Sequence, residues 1–280
     1  MERKRVFWVV GGDSRQRALA ALLRQDGYRV ECRGLDSTSF SMAGVEQTDG
    51  ILLPIPVARA PGLLNAPLAG EVISLEQVLS PLSPGQFLCG GRVDKDSQAL
   101  AADRGLTIRD YSLREEFAAA NAVPTAEGAV RLAMEALSST IQGSRVLVLG
   151  FGRVGNATAQ RFRALGAAVT VSARRYGALA WAEASGFTPA LLGTEALSSF
   201  ELVVNTIPAQ VLNRARLAEL RPGVPVLELA SSPGGIEQRA AVDLHIRVIP
   251  APGLPGKTAP VTAAAAIRDT VFHILKEERG

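Results

Sequence analysis

Arg145-Val146-Leu147-Val148-Leu149-Gly150-Phe151-Gly152-Arg153-Val154-Gly155 runs an apolar strand straight into a GxGxxG turn, and a helical pattern follows as far as Gly166. Each glycine in that spacing has its own physical task. Gly150 makes a tight turn, Gly152 lets the backbone approach a pyrophosphate, and Gly155 allows close helix–strand packing. The N–H groups at the start of the helix then face the phosphate charge. The stretch therefore predicts a dinucleotide site formed by Gly150, Phe151, Gly152, Arg153, Val154 and Gly155.

The next strand, Ala168-Val169-Thr170-Val171, refines that expectation. An NAD site commonly places Asp or Glu about 20 residues past the glycines, to bind the ribose 2′-OH. Here the chain reads Ser172-Ala173-Arg174-Arg175. A carboxylate would repel a 2′-phosphate, whereas a hydroxyl and two guanidiniums would bind it through charge-assisted hydrogen bonds. Ser172, Arg174 and Arg175 accordingly predict NADP(H). Two further strands read Leu202-Val203-Val204-Asn205 and Val224-Pro225-Val226-Leu227-Glu228. Thr206 and Pro208 follow the first of them, where nicotinamide and substrate are expected in a doubly wound fold.

The same alternation runs through the first part of the chain. Val6–Val10, Tyr28–Cys32, Gly50–Pro54, Gln86–Cys89 and Leu106–Ile108 read as strands, with a helical stretch from Gln16 to Gln25 between the first two. Continuous apolar strands separated by helices argue for parallel sheets covered on both faces. The fold class is therefore α/β with two doubly wound parallel-sheet domains. Residues 1–116 form an N-terminal, substrate-side domain, and 117–280 a Rossmann dinucleotide-binding domain. A bridging helix is expected near 124–140, opened by Pro124, and a C-terminal helix near 261–278. In such two-domain enzymes the cleft between domains is the usual active site.

Composition narrows the class. The 280 residues are 47% hydrophobic and 20% charged, with a net charge of +3, which fits a globular protein and excludes disordered and fibrous classes. No apolar run approaches the roughly 18 to 20 residues of a bilayer span. The charged start Met1–Arg5 leads into too short an apolar run for a signal peptide. A cytoplasmic location is expected. Lys and Arg are scattered, so an anionic cofactor or substrate accounts for the basic bias without nucleic acid.

Cys32 and Cys89 have neither disulfide-framework nor metal-ligand spacing, and with His245 and His273 as the two histidines no metal site is expected. His273 falls among apolar residues of the last helix, and His245 has no catalytic context. Ala251–Thr258 ends like a phosphate loop, but Ala251 stands where the first glycine must be and prolines remove donors. It could still meet a substrate carboxylate.

Several segments together resemble the A subunit of dipicolinate synthase from spore-forming bacteria. They are Gly11–Gln16, Asn121–Gly128, Val148–Arg153, Ser172–Arg174, Asn205–Pro208, Glu228–Gly235 and Ala251–Gly256. The glycine fingerprint is common to many dehydrogenases. The Pro-Thr-Ala-Glu-Gly, Ser-Pro-Gly-Gly and Ala-Pro-Gly-Leu-Pro-Gly segments, in this order, are more specific. The resemblance implies conversion of hydroxy-tetrahydrodipicolinate to dipicolinate in the mother cell during sporulation. It also implies a partner, a B subunit that resembles a flavoprotein, while self-association is left open. The two-domain plan is similar to that of D-2-hydroxyacid dehydrogenases as well, but their catalytic His with its Glu partner is missing. The alternative readings are a hydroxyacid dehydrogenase and a non-catalytic, NADP-binding partner of a catalytic protein.

On this view water loss gives a dihydropyridine, and removal of a hydride and a proton makes it aromatic. Aromatisation supplies much of the driving force, so the protein's work is positioning. Arg15 is the expected carboxylate partner. Thr125 at a helix start, Ser231 and Ser232 in a strand-end loop, and the backbone of Gly253–Thr258 are further anchors. Asp13 or Glu127 could move a proton, although Asp13 could equally be a helix cap and Arg15 a surface charge.

Overall fold

The computed structural model describes residues 5–278, so the start of the charged N-terminal segment lies outside the described residues. The chain divides into two compact units, one holding the chain up to Asn121 together with Pro255 onward, the other Ala122–Leu254. In chain order the elements are β1 (Val6–Val10), α1 (Ser14–Gln25), β2 (Arg29–Arg33), β3 (Gly50–Leu52), β4 (Ala58–Ala60), β5 (Leu63–Leu64), α2 (Leu75–Leu79), β6 (Leu88–Gly90), α3 (Lys95–Ala102), β7 (Ile108–Asp110) and α4 (Glu115–Ala136). There follow β8 (Arg145–Leu149), α5 (Arg153–Ala164), β9 (Ala168–Ala173), α6 (Tyr176–Ala184), β10 (Thr188–Leu191), β11 (Leu202–Asn205), α7 (Arg214–Leu217), β12 (Val226–Glu228), α8 (Gln238–Asp243), β13 (Val248–Pro250), α9 (Leu254–Thr258) and α10 (Pro260–Glu277).

In the first unit the sheet order is β2-β1-β3-β6-β7, every pairing parallel, with the β4–β5 ribbon beside it. This is the flavodoxin-like winding, whose order reverses between β1 and β3. Phe7 and Val9 face one core and Trp8 and Val10 the other, as the twofold alternation of a strand covered on both sides requires.

The second unit has the order β10-β9-β8-β11-β12-β13, again all parallel. Renumbered within the unit this is 3-2-1-4-5-6, the Rossmann winding. Its register sets Ser172, Leu149, Asn205 and Glu228 in one row across β9, β8, β11 and β12. The residues just past that row form the C-terminal rim of the sheet, where doubly wound folds place their ligands. β10 was not expected from the sequence. Its Thr188-Pro189-Ala190-Leu191 pattern is weak, and Pro189 is tolerated because β10 is an edge strand.

The division differs from the expected 1–116 and 117–280. The C-terminal helix α10 belongs with the first unit, where Ile267, Val271, Ile274 and Leu275 are buried with Leu19 and Leu23 of α1. Fully burying each such side chain is worth about 1.5–3 kcal/mol, which fixes where the tail docks. Nor does a helix begin at Pro124. α4 starts at Glu115 and carries Pro124 inside it. The helix forfeits one backbone bond there but keeps a buried small-residue face of Ala122, Ala126, Ala129 and Ala133.

Candidate functional site

The C-terminal rim of the second sheet is built around Gly150. Its φ is +96°, and a Cβ there would lie 2.5 Å from Thr206 Oγ1. The turn is pinned on both sides. Gly150 N donates to Ser172 O at 2.8 Å, and Thr206 donates to Leu149 O through N at 2.9 Å and Oγ1 at 2.8 Å. A Cβ on Gly155 would stand 2.1 Å from Gly150 O, so only glycine lets α5 pack this closely beneath the turn. Gly152 is different, because a Cβ there would meet nothing within 4 Å. Gly152 caps α5 without a side-chain hydrogen bond, which leaves open space in front of uncapped helix N–H groups. That is the cradle an anionic pyrophosphate requires.

A cavity of about 450 Å³ extends from the Gly150–Gly152 turn, past Ala173, Arg174 and Arg175 at the end of β9, to Ala178 and Ile207. Arg174 and Arg175 are exposed, and among the described residues neither has an ion-pair partner. Phe151 lines the cavity and packs edge-on against Phe187, with ring centroids 5.8 Å apart. A second hollow of about 500 Å³ shares Phe151, Arg175 and Ala178 with the first and reaches Trp181, a residue with no motif to mark it in the sequence. These residues fit a dinucleotide with an anionic group near the arginines.

The other expected cofactor residues divide. Thr206 stands at the turn, Arg153 and Val154 open α5, and Pro208 is exposed in the loop after β11. Ser172 does not line the cavity. It is fully buried in β9, its Oγ without a hydrogen-bond partner among the described residues, because the register turns it into the sheet and leaves Ala173 at the rim. Ile207, Ala173 and Ala178 line the cavity although no motif in the sequence marks them. Ala173 ends β9, Ile207 follows β11 and Ala178 lies in α6, so each acquires its place only through the element that carries it.

Among the catalytic candidates, Ser231 and Ser232 are exposed in the loop after β12, on the same rim as the cavity, with Gly234 N donating to Ser231 O at 2.8 Å. Thr125 lies in the middle of α4 rather than at a helix start. Glu127 sits on the surface of α4, 3.7 Å from Arg161, as an ordinary exposed ion pair. His245 lies between α8 and β13, at the opposite rim of the sheet, and its Nδ1 is 3.1 Å from Val242 O. His273, on α10, is 3.7 Å from Glu116. Neither resembles an oriented catalytic imidazole.

Asp13 and Arg15 belong to the first unit, at the β1/β3 reversal. Asp13 caps α1, accepting from Arg15 N at 2.9 Å. Its carboxylate also clasps the guanidinium, Nε–Oδ1 at 2.9 Å and Nη2–Oδ2 at 2.8 Å, while Nη2 donates to Ile55 O at 2.8 Å. The Arg15 side chain is only 9% exposed. Ser14 Oγ donates to Gly256 O at 2.6 Å. A Cβ on Gly256 would come within 2.9 Å of Asp13 Oδ2, so this glycine lets α9 close over the pair. Arg15 is thus a tethering cation inside its unit, with two of its three nitrogens committed.

Burial pushes the Asp13 carboxyl upward, but the Arg15 guanidinium and nearby N–H groups outweigh it and hold the pKa below the usual carboxylate range. Asp13 is therefore ionised at neutral pH and is no proton carrier. A depressed folded-state pKa means its stabilisation is complete above the unfolded value of 3.8 and is lost as pH falls through the lower folded value. Asp13→Asn should destabilise the protein by about 1–3 kcal/mol near neutral pH, by leaving the buried guanidinium short of an acceptor. In urea unfolding the gap between the two proteins should stay constant down to about pH 5 and narrow once the pH is below that unfolded value. A gap that widened on acidification would reverse the assigned sign.

Among the described residues no helix is long and apolar enough to cross a membrane. Residues 6–112 match the N-terminal domain of the dipicolinate synthase A subunit, and residues 112–236 the NAD binding domain of D-isomer specific 2-hydroxyacid dehydrogenases. The chain is 31% identical to the dipicolinate synthase A subunit of Bacillus subtilis over 96% of its own length and 95% of that protein's. The crystal structure of the dipicolinate synthase A subunit from Bacillus halodurans superposes with a TM-score of 0.86 at 30% identity, covering 97% of both chains. That of its Bacillus subtilis counterpart superposes at 0.84 and 29% identity, covering 99% of this chain and 97% of that one.

Proposed function

The chain belongs to the family of dipicolinate synthase A subunits, and on that premise we propose that it oxidises dehydrated 4-hydroxy-tetrahydrodipicolinate to dipicolinate with NADP⁺. The observation that carries the cofactor half of this reading is the exposed Arg174–Arg175 pair on the wall of the dinucleotide cavity. Two cations there complement a 2′-phosphate and would be wasted on a bare 2′-hydroxyl.

Bound NADP⁺ supplies a hydride acceptor. The protein supplies placement. The uncapped start of α5 and the open space at Gly152 hold the pyrophosphate, Arg174 and Arg175 the 2′-phosphate, and Ile207 the wall beyond the Gly150 turn. Ser231 and Ser232 offer hydroxyls on the same rim to a substrate carboxylate. The substrate loses water, then one hydride and one proton, and the gain of an aromatic ring draws the reaction forward. No protein group of unusual basicity is needed, which fits a rim without an oriented histidine. The setting is the cytoplasm of the mother cell in sporulation, and the B subunit is the partner.

The test is dipicolinate formation followed by ultraviolet absorbance. The substrate is generated in situ by the condensing enzyme, with NADP⁺, and with or without the B subunit. Product from this chain alone, above the spontaneous rate, is the expected result if it holds the whole reacting site. Product only with the partner makes the site a shared one. No product in either mixture rejects the reading.

A further inference from the structure

The loops that follow β11 and β12 are joined by a buried side-chain pair that cofactor binding leaves unexplained. Asn205 and Glu228 end their strands directly opposite one another, 0% and 8% exposed. Asn205 Nδ2 donates to Glu228 Oε1 at 2.8 Å and to Ile207 O at 3.0 Å, while its Oδ1 accepts from Ile207 N at 3.1 Å. The carboxylate also takes in the other loop, accepting from Ala230 N on Oε1 and from Gly235 N on Oε2, both at 3.0 Å. Gly235 O in turn accepts from Val211 N and Leu212 N, each at 2.9 Å. A Cβ on Gly235 would lie 2.3 Å from Asn205 Nδ2 and 2.7 Å from Ile207 O, so only glycine lets the second loop close on the amide.

A buried carboxylate is costly unless its oxygens are satisfied. Among the described residues Glu228 has no ion-pair partner, and its desolvation is offset by three N–H donors. An acceptor-only side chain is what this arrangement requires. Glutamine at 228 would turn one N–H₂ against the Gly235 N–H or against the Asn205 amide. Both residues are therefore chosen for hydrogen-bond sense as well as for shape.

We propose that Asn205 and Glu228 are positioning residues, a latch that sets the Ile207 wall of the cofactor cavity and the Ser231–Ser232 loop in one register. A ligand that orders either loop then orders the other through the pair. What the loops bind rests on the reading of the preceding subsection, but the latch itself does not.

Amide hydrogen exchange on the full chain tests it without turnover. Glu228→Gln should lower protection at Ala230 and Gly235 by about tenfold or more, the equivalent of a lost hydrogen bond. It should also lower protection at Ile207, whose own acceptor, Asn205 Oδ1, is untouched. Asn205→Asp, which sets acceptor against acceptor, should loosen the same three amides. The double variant restores a donor–acceptor pair with the sense exchanged, and should return part of the Ile207 protection. In the dipicolinate assay Glu228→Gln should lower kcat at least about tenfold and raise the NADPH Kd by a smaller factor, because the Ile207 wall is loosened while the Gly150 turn and the arginines are intact. Unchanged Ile207 exchange in Glu228→Gln, with Ala230 and Gly235 loosened, overturns the latch. Coupled exchange in a chain that makes no dipicolinate counts against the proposed reaction and supports the latch.

Discussion

Gly155→Ala should abolish useful dinucleotide binding, with an affinity loss on the order of 100-fold or more. Helix propensity alone predicts the opposite of damage, since alanine is favoured over glycine in a helix interior by about 1 kcal/mol. The close approach decides. A Cβ at this position meets Gly150 O at 2.1 Å and Gly150 C at 2.8 Å. Both are backbone atoms that cannot rotate away, so either α5 or the turn must shift. Forced overpacking of this kind typically costs about 1–3 kcal/mol, and the displaced turn no longer aims its N–H groups at the pyrophosphate. Two charge-assisted hydrogen bonds lost at about 1.5–3 kcal/mol each account for the affinity loss. Calorimetric titration with NADPH, beside thermal unfolding, measures both terms. Retained affinity with a raised Tm would mean that propensity wins and the clash is relieved by a small shift.

On the proposed reading, Arg174→Ala combined with Arg175→Ala should remove the preference for NADPH over NADH. Both side chains are exposed, so solvent screens them and the lower end of the charge-assisted range, about 1.5 kcal/mol each, is appropriate. That amounts to about tenfold per arginine and about 100-fold for the pair in NADPH Kd. NADH, lacking the phosphate, should bind with unchanged affinity. The NADPH loss should also shrink as salt is raised, since screening already weakens the wild-type contact. An equal loss for both cofactors would show that the arginines shape the cavity rather than recognise the phosphate.

How far the sequence could be read depended on how local the signal was. The run from Arg145 to Gly155 declares a strand, a turn and a helix start within eleven consecutive residues, and β8 and the Gly150 turn lie where that run places them. Arg174 and Arg175 were legible for the same reason, being a fixed distance along one βα unit. Signals that depend on distant partners were not. The pattern Ile267, Val271, Ile274 and Leu275 shows that α10 has an apolar face but not which core receives it. Glu228 looks like any strand-end carboxylate until the β11–β12 register sets it against Asn205, 23 positions earlier. Arg15 reads as an available cation, yet Asp13, two residues before it, folds back and occupies it. Ser172 stands one position short of the rim, and in a strand one position decides which way a side chain faces.

The most direct test of cofactor-linked oxidation follows one atom. The substrate is prepared with deuterium on the ring carbon that gives up the hydride, and the reaction is run with NADP⁺ and this chain, with the B subunit where it is required. The nicotinamide product is then analysed by mass spectrometry. One deuterium in NADPH for each dipicolinate formed is the predicted result. Dipicolinate released without label in the nicotinamide would contradict it, because the hydride would then have left by a route other than the cofactor site proposed at Gly150 and Arg174.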